Sequence, residues 1–265
     1  MMRTLFVTAL MSLLATPGQA APKKLLLIGQ GPDGHPPATH EYLPGVKIVQ
    51  KLLEKLPDLE ITVVNANEPW KDGPELIERS DAVVIFVSEG GKWLQSDPRR
   101  LKALLGVVDR GGGVSVLHWG MGTREAANIE GCLKLYGACH GGPDRKYKVI
   151  EEAEVAVAPK HAATTGLEDF KIKDEFYYQL KQTKEKGLVP LLTVPIDGKR
   201  ELVAWAWERP AGGRAFGFSG LHFHDNWSRP EYRRLVAQAV LWTLKLPVPE
   251  KGLNVDIAEE ALRLK

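Results

Sequence analysis

The chain has 265 residues, 44% of them hydrophobic and 26% charged, and a formal net charge of +2. This is the composition of an ordinary globular protein, and the dispersed 26 Gly and 18 Pro exclude collagen-like and low-complexity chains. The near balance of 35 basic and 33 acidic residues leaves no electrostatic footprint for nucleic acid or an anionic membrane.

Residues 1–20 read as a secretory signal peptide. Met1-Met2-Arg3 is a short positive start, Leu5 to Ala15 is almost wholly apolar, and Pro17 breaks the run. Gly18 and Ala20 then occupy the −3 and −1 positions of a cut before Ala21. The apolar core is too short to span a bilayer. The expectation is a soluble periplasmic or secreted protein, without membrane insertion, whose residues 21–265 form one domain.

In the rest of the chain, apolar strand runs alternate with amphipathic helical runs. Lys24 to Gly29 is a continuous apolar run of the kind buried on both faces of a sheet. Val46, Val49, Leu52, Leu53 and Leu56 follow at helical spacing, and Pro57 stops that helix. Ile61–Val64 and Ala82–Val87 predict the second and third strands. Asp97-Pro98 supplies the N-cap and first position of a helix carrying Leu101, Leu104, Leu105 and Val108. Gly111-Gly112-Gly113 leads into a fourth strand, Val114–His118.

This alternation predicts an α/β protein with a flavodoxin-like, doubly wound, mostly parallel sheet. The part from Tyr147 to Phe218 is richer in strands. Val203–Trp207, the turn at Pro210–Gly213 and Arg214–Phe218 read as a β-hairpin, and Pro230–Leu244 as a last helix. Cys132 and Cys139 are spaced for either a disulfide or two buried thiols, and not for a redox C-x-x-C motif.

In an open parallel sheet, ligands bind beyond the carboxyl ends of the strands. Three polar, Gly-rich loops follow strands here: Gln30 to Glu41 with His35 and His40, Ser88 to Gly91 with Glu89, and His118 to Gly122. Gly111 to Gly122 resembles the nucleophile-elbow region of class I glutamine amidotransferases, with His118 where those enzymes carry their Cys. Imidazole does not replace a thiol in that chemistry, so the chain is not a glutaminase.

Several blocks in order resemble the trehalose-utilisation (ThuA-like) family, which has the amidotransferase-like fold without the activity. They are Leu26–Gly31 with His35, Gly111–Trp119, Gly137–Gly141, His161 through Asp174–Tyr178, and Gly217–Trp227 continued by Arg233-Arg234-Leu235 and Leu241-Trp242. Leu221 departs from the pattern, since a small residue is expected before the His. The resemblance implies disaccharide or glycoside metabolism, in particular of 3-keto-sugars made by partner oxidoreductases.

The residue types point to a site of their own. His118, His140 and His222 or His224, with Glu175 and His35, offer imidazoles and a carboxylate for Zn²⁺ or a similar divalent cation, though no close ligand pair such as HExxH is present. On a strand, His222 and His224 would point to the same side. Glu175, between Asp174 and Phe176-Tyr177-Tyr178, is the candidate general base, and partial burial there would raise its pKa.

His118 and His140 are further catalytic candidates. His35, Glu89, Trp119, Tyr177, Asn226 and Trp227 are candidates for substrate binding, with Trp93, Trp119, Tyr177 and Trp227 as sugar-stacking faces. Trp205, Trp207 and Trp242 read as core, and His161 as a surface-loop residue. A Pro follows Gly29-Gln30-Gly31, so no dinucleotide fingerprint stands there, and neither nicotinamide nor flavin is expected.

The leading expectation is an exported enzyme that removes a proton beside the carbonyl of a 3-keto-glycoside, with isomerisation or elimination to follow. A non-catalytic carbohydrate-binding protein is the alternative. A hydrolase using a carboxylate pair drawn from Asp33, Glu41, Glu89 and Glu175 is the third reading.

Overall fold

The apolar runs become strands of one large sheet in the computed structural model, which describes residues 21–264. The expected signal segment, 1–20, lies outside the described residues. β1 (Lys23–Gly29), β3 (Ala82–Phe86) and β4 (Gly113–Leu117) are buried through almost their whole length, and β2 (Leu59–Asn65) forms the half-exposed edge. Unbroken Val, Leu and Ile runs suit strands covered on both faces, and each fully buried side chain contributes roughly 1.5–3 kcal/mol.

α1 (Tyr42–Leu53), α2 (Gly73–Glu78), α3 (Gly90–Ser96) and α4 (Pro98–Asp109) connect these strands. α1 starts four residues before the apolar spacing suggested and ends at Leu53, ahead of Pro57. α4 starts where Asp97-Pro98 predicted, with the Asp97 carboxylate accepting the Arg99 amide. At the end of β1 the α1 backbone comes so close that a Cβ on Gly29 would sit 2.7 Å from Leu43 Cα.

After β4 come the short β5 (Gly122–Thr123), α5 (Ile129–Tyr136) and β6 (Ala138–Gly141). The strand-rich part follows: β7 (Lys146–Val157), β8 (Phe170–Tyr178), β9 (Lys181–Gln182), β10 (Leu188–Ile196), β11 (Lys199–Glu208) and β12 (Arg214–Phe218). α6 (Pro230–Thr243) and the short α7 (Glu259–Leu262) complete the chain.

The main sheet has nine strands in the order β2-β1-β3-β4-β12-β11-β10-β7-β8. Its first five strands are parallel, and from β11 onward the pairing is antiparallel. The strand-rich part therefore extends the parallel sheet. The predicted hairpin is the hinge between the two regimes, because β12 pairs parallel to β4 and antiparallel to β11.

Cys132 and Cys139 are both buried free thiols. Trp205 and Trp207 are core residues, as their strand positions suggested, and Trp242 is partly buried against the core. No helix among the described residues is long and apolar enough to cross a membrane.

Candidate functional site

The carboxyl ends of β1, β3, β4 and β12 deliver their loops to one point, and β8 passes beside it. Five non-glycine residues in these loops have left-handed backbones: Ala38 at φ +65°, His40 at +55°, Glu89 at +40°, His118 at +44° and Leu221 at +75°. Such conformations cost on the order of 1 kcal/mol or more each and persist only where surrounding bonds impose them.

Asp174 imposes the last of these. It is fully buried on β8 and accepts the amides of Leu221 at 2.7 Å and His222 at 3.2 Å, with the Tyr232 hydroxyl at 3.0 Å. This answers the departure at Leu221: the turn does take a glycine-like backbone, and a buried carboxylate holds it there. A backbone bond from the His40 amide to the His222 carbonyl, at 3.0 Å, then ties the first loop to the last.

Three imidazole nitrogens converge as a result. His40 Nε2 lies 3.1 Å from both His118 Nε2 and His222 Nδ1, and the latter two are 3.3 Å apart. Nitrogens about 2.0–2.1 Å from one tetrahedral cation lie about 3.3 Å from each other, so the triangle has the size such an ion requires. Glu175 Oε1 stands 3.5 Å from His222 Nδ1 and 3.8 Å from His118 Nε2. His40, His118, Glu175 and His222 thus form a buried group able to hold a metal ion.

The outward-facing nitrogens show which lone pairs are free. His118 Nδ1 is 2.7 Å from the Ser219 carbonyl, an obligate acceptor, so Nδ1 carries the hydrogen and Nε2 is bare. His40 Nδ1 faces the Tyr42 hydroxyl at 2.7 Å and Asp33 Oδ2 at 3.2 Å, while Tyr42 donates to Asp33 at 2.6 Å. His40 Nε2 is therefore bare as well. Two lone pairs 3.1 Å apart repel unless a proton or a cation lies between them.

A proton is disfavoured. Burial, and then the neighbouring His40, hold His118 well below the usual histidine range. Burial, followed by the charge of His35, pushes His40 down to about 4. Burial, followed by His40 and His35, takes His222 to about 4. Neutral imidazoles with bare nitrogens are the form that binds metal, and a carboxylate behind one of them is the common outer support.

Asp33 stands in that position behind His40. Burial would raise its pKa, but donors from Tyr42, His35, Ser88 and His40 hold it well below the usual carboxylate range. Ser88 reaches it from the end of β3 at 2.9 Å, and His35 at 2.7 Å. The His35 ring stacks on His40 with centroids 3.7 Å apart, so this half-exposed residue covers His40 and lies outside the buried group.

Beside the imidazoles, burial and then the adjacent Asp174 push Glu175 up to about 7. Asp174 itself is pushed to about 6 by burial, against the pull of its donors. The Tyr177 hydroxyl is 3.0 Å from His118 Nε2.

The structure places several of the expected site residues away from this group. His224 does not join His222, because the chain enters a 3-10 turn at His224, and its Nε2 meets the Leu262 carbonyl at 2.8 Å. His140 stacks on Tyr177 at 3.9 Å and lies outside the buried group, with Nδ1 enclosed and lacking a hydrogen-bond partner. The four proposed stacking faces Trp93, Trp119, Tyr177 and Trp227 are buried, at 5%, 5%, 3% and 1% exposure, and present no open ring face. Asn226 donates to the Lys173 carbonyl, and Glu89 is paired with Arg124, so both serve the protein's own framework. His161 caps a 3-10 turn and packs on Trp242.

Sequence reasoning gave His40 no role, and it offered Asp33 only as one carboxylate of a hydrolase pair. Their only signal was membership of the polar loop after β1.

Comparison with known proteins gives the same picture of the fold. A ThuA-like protein from Bacteroides uniformis superposes with a TM-score of 0.62 at 14% identity, covering 88% of this chain and 95% of that one. A cytoplasmic protein from Salmonella typhimurium reaches 0.54 at 16%, covering 83% and 98%. Part of a GH42 β-galactosidase from G. stearothermophilus, a catalytic mutant, reaches 0.53 at 11%, covering 86% of this chain and 31% of that one. No curated protein matches. The family model described as trehalose utilisation, ThuA, matches residues 34–243, from the loop of His35 and His40 to the end of α6. The chain belongs to the ThuA trehalose-utilisation family.

Proposed function

We propose that the chain is a cation-assisted enzyme acting on a carbonyl-bearing sugar or glycoside, such as a 3-keto-glycoside, by proton abstraction. The observation that carries this reading is the triangle of converging imidazole nitrogens, those of His40 and His118 bare, with Glu175 on its flank. His40 Nε2, His118 Nε2 and His222 Nδ1 would hold a divalent cation such as Zn²⁺, leaving a coordination position free. A bound cation there would polarise a carbonyl oxygen and acidify the carbon beside it.

Glu175 takes the proton. Its Oε1 faces the imidazole group while Asp174, its chain neighbour, is consumed by backbone amides and Tyr232. His118 does not act as the base, because its Nδ1 is committed to Ser219 and its Nε2 to the cation group. The family assignment supports a sugar-related substrate.

The test is the metal content of the purified protein, with turnover of a 3-keto-glycoside measured before and after chelation. Stoichiometric metal and chelator-sensitive turnover are expected. Sugar binding that survives Glu175→Gln, with no metal and no turnover, would make the chain a carbohydrate-binding protein instead.

A further inference from the structure

Tyr177 is enclosed on both ring faces by imidazoles. His118 stacks on one face with centroids 4.5 Å apart and planes 21° from parallel. His140 stacks on the other at 3.9 Å and 8°. Trp119 closes the flank edge-on at 5.9 Å. A ring packed on three sides cannot swing out, so its hydroxyl has a fixed position.

That position is 3.0 Å from His118 Nε2, and the hydroxyl has no other hydrogen-bond partner among the described residues. Since the His118 hydrogen sits on Nδ1, facing Ser219, the phenol is the donor and Nε2 the acceptor. His118 Nε2 is also one of the three imidazole nitrogens of the cation group. A cation and the Tyr177 hydrogen therefore compete for it.

We propose that Tyr177 is a catalytic residue whose hydroxyl, displaced from His118 Nε2 when a cation binds, donates a hydrogen bond to the ligand oxygen that fills the cation's open side. The inference rests on the cation-assisted reading above and adds the second half of the oxygen's environment. A buried hydroxyl that loses its acceptor is costly, so the cation-loaded site is left with an unmet donor aimed at the incoming oxygen. His140 has a different task. It supplies the second face of the stack and thereby fixes the direction of that donor.

The test loads the full-length protein with Co²⁺ and follows its visible bands during titration with acetohydroxamate, which binds metals through oxygen. Tyr177→Phe is expected to take up cobalt with wild-type stoichiometry and, freed of the competing hydrogen, with an affinity at least that of the wild type. Its acetohydroxamate affinity should be lower by about tenfold or more, the effect of one hydrogen bond to a charged acceptor. His140→Leu keeps the hydroxyl and the cation group but loosens the ring, and should show a smaller loss; it decides the matter should Tyr177→Phe fail to fold. Equal acetohydroxamate affinity in wild type and variants would overturn the donor role while leaving the cation site standing. Loss of cobalt from Tyr177→Phe would also overturn it, by making the phenol a ligand. Failure of the wild type to take up cobalt would remove the cation-assisted reading and this inference together.

Discussion

The Leu221 amide donates to Asp174 Oδ2 at 2.7 Å from a backbone with φ of +75°. A buried carboxylate thus holds a bulky residue in a conformation that glycine would adopt freely, and the next residue, His222, is thereby aimed at His40 and His118.

Asp174→Asn should show how much that restraint matters. An amide cannot accept from Leu221, His222, Glu175 and Tyr232 together without turning an N–H toward one of the donors. A loss on the order of 2–3 kcal/mol is expected, read as a drop in the denaturant midpoint, together with weaker cation binding. Unchanged stability would mean that the turn at Leu221 stands without the carboxylate.

Glu175→Gln should preserve the fold and cation uptake but lower kcat by about a hundredfold or more, the usual contribution of a positioned base. The substitution also has a stability signature. Because burial and Asp174 raise Glu175 to about 7, the folded protein holds its proton more tightly than the unfolded chain does, and stability declines as pH rises toward 7. Gln escapes that penalty, so the cation-free variant should be the more stable form at pH 8. Wild-type turnover in this variant would exclude Glu175 as the base.

Asp33→Asn should weaken cation affinity by about 10- to 100-fold, as losses of outer support at metal sites do. His40 would keep its contact with Tyr42 but lose the carboxylate behind that pair. Competition with a chromophoric chelator measures the change, and circular dichroism checks that the fold is retained. Identical affinities would show that packing alone orients His40.

The cation-free protein should lose stability as pH falls from about 6.5 toward 4. His40, His118, His140 and His222 are all depressed, chiefly by burial, so the unfolded chain binds protons in this range that the folded protein refuses. Asp174 and Glu175 act in the opposite sense, being raised to about 6 and about 7, but they are two groups against five, since burial also lowers His161. Each net proton is worth about 1.4 kcal/mol per pH unit. Urea midpoints across this range should fall with acidity, and less steeply in His140→Gln. A flat profile would contradict the neutral-imidazole assignment.

The parallel half of the sheet was legible because β1, β3 and β4 are runs of apolar residues, the pattern of strands covered on both faces. The hairpin was legible from its Gly-rich turn. His40 was not, because its partner His222 lies 182 residues away and no local spacing links them. The pairing of His222 with His224 assumed strand alternation, which the left-handed turn at Leu221 and the 3-10 turn at His224 destroy. Aromatic residues near a His-rich site looked like stacking platforms. The rings of Tyr177, Trp119 and Trp227 are buried, and the Tyr177 hydroxyl faces His118.

The place of β12 in the sheet also sets when the site can exist. His40 and His118 are carried by the first half of the chain, whereas His222 follows β12, the strand that lies between β4 and β11. A chain still being synthesised, or one halted before residue 222, holds two of the three imidazoles and has no closed coordination triangle. Cation capture would therefore report that these two loops have met, and an ion, once bound, would tie the loop after β1 to the loop after β12 and slow their separation.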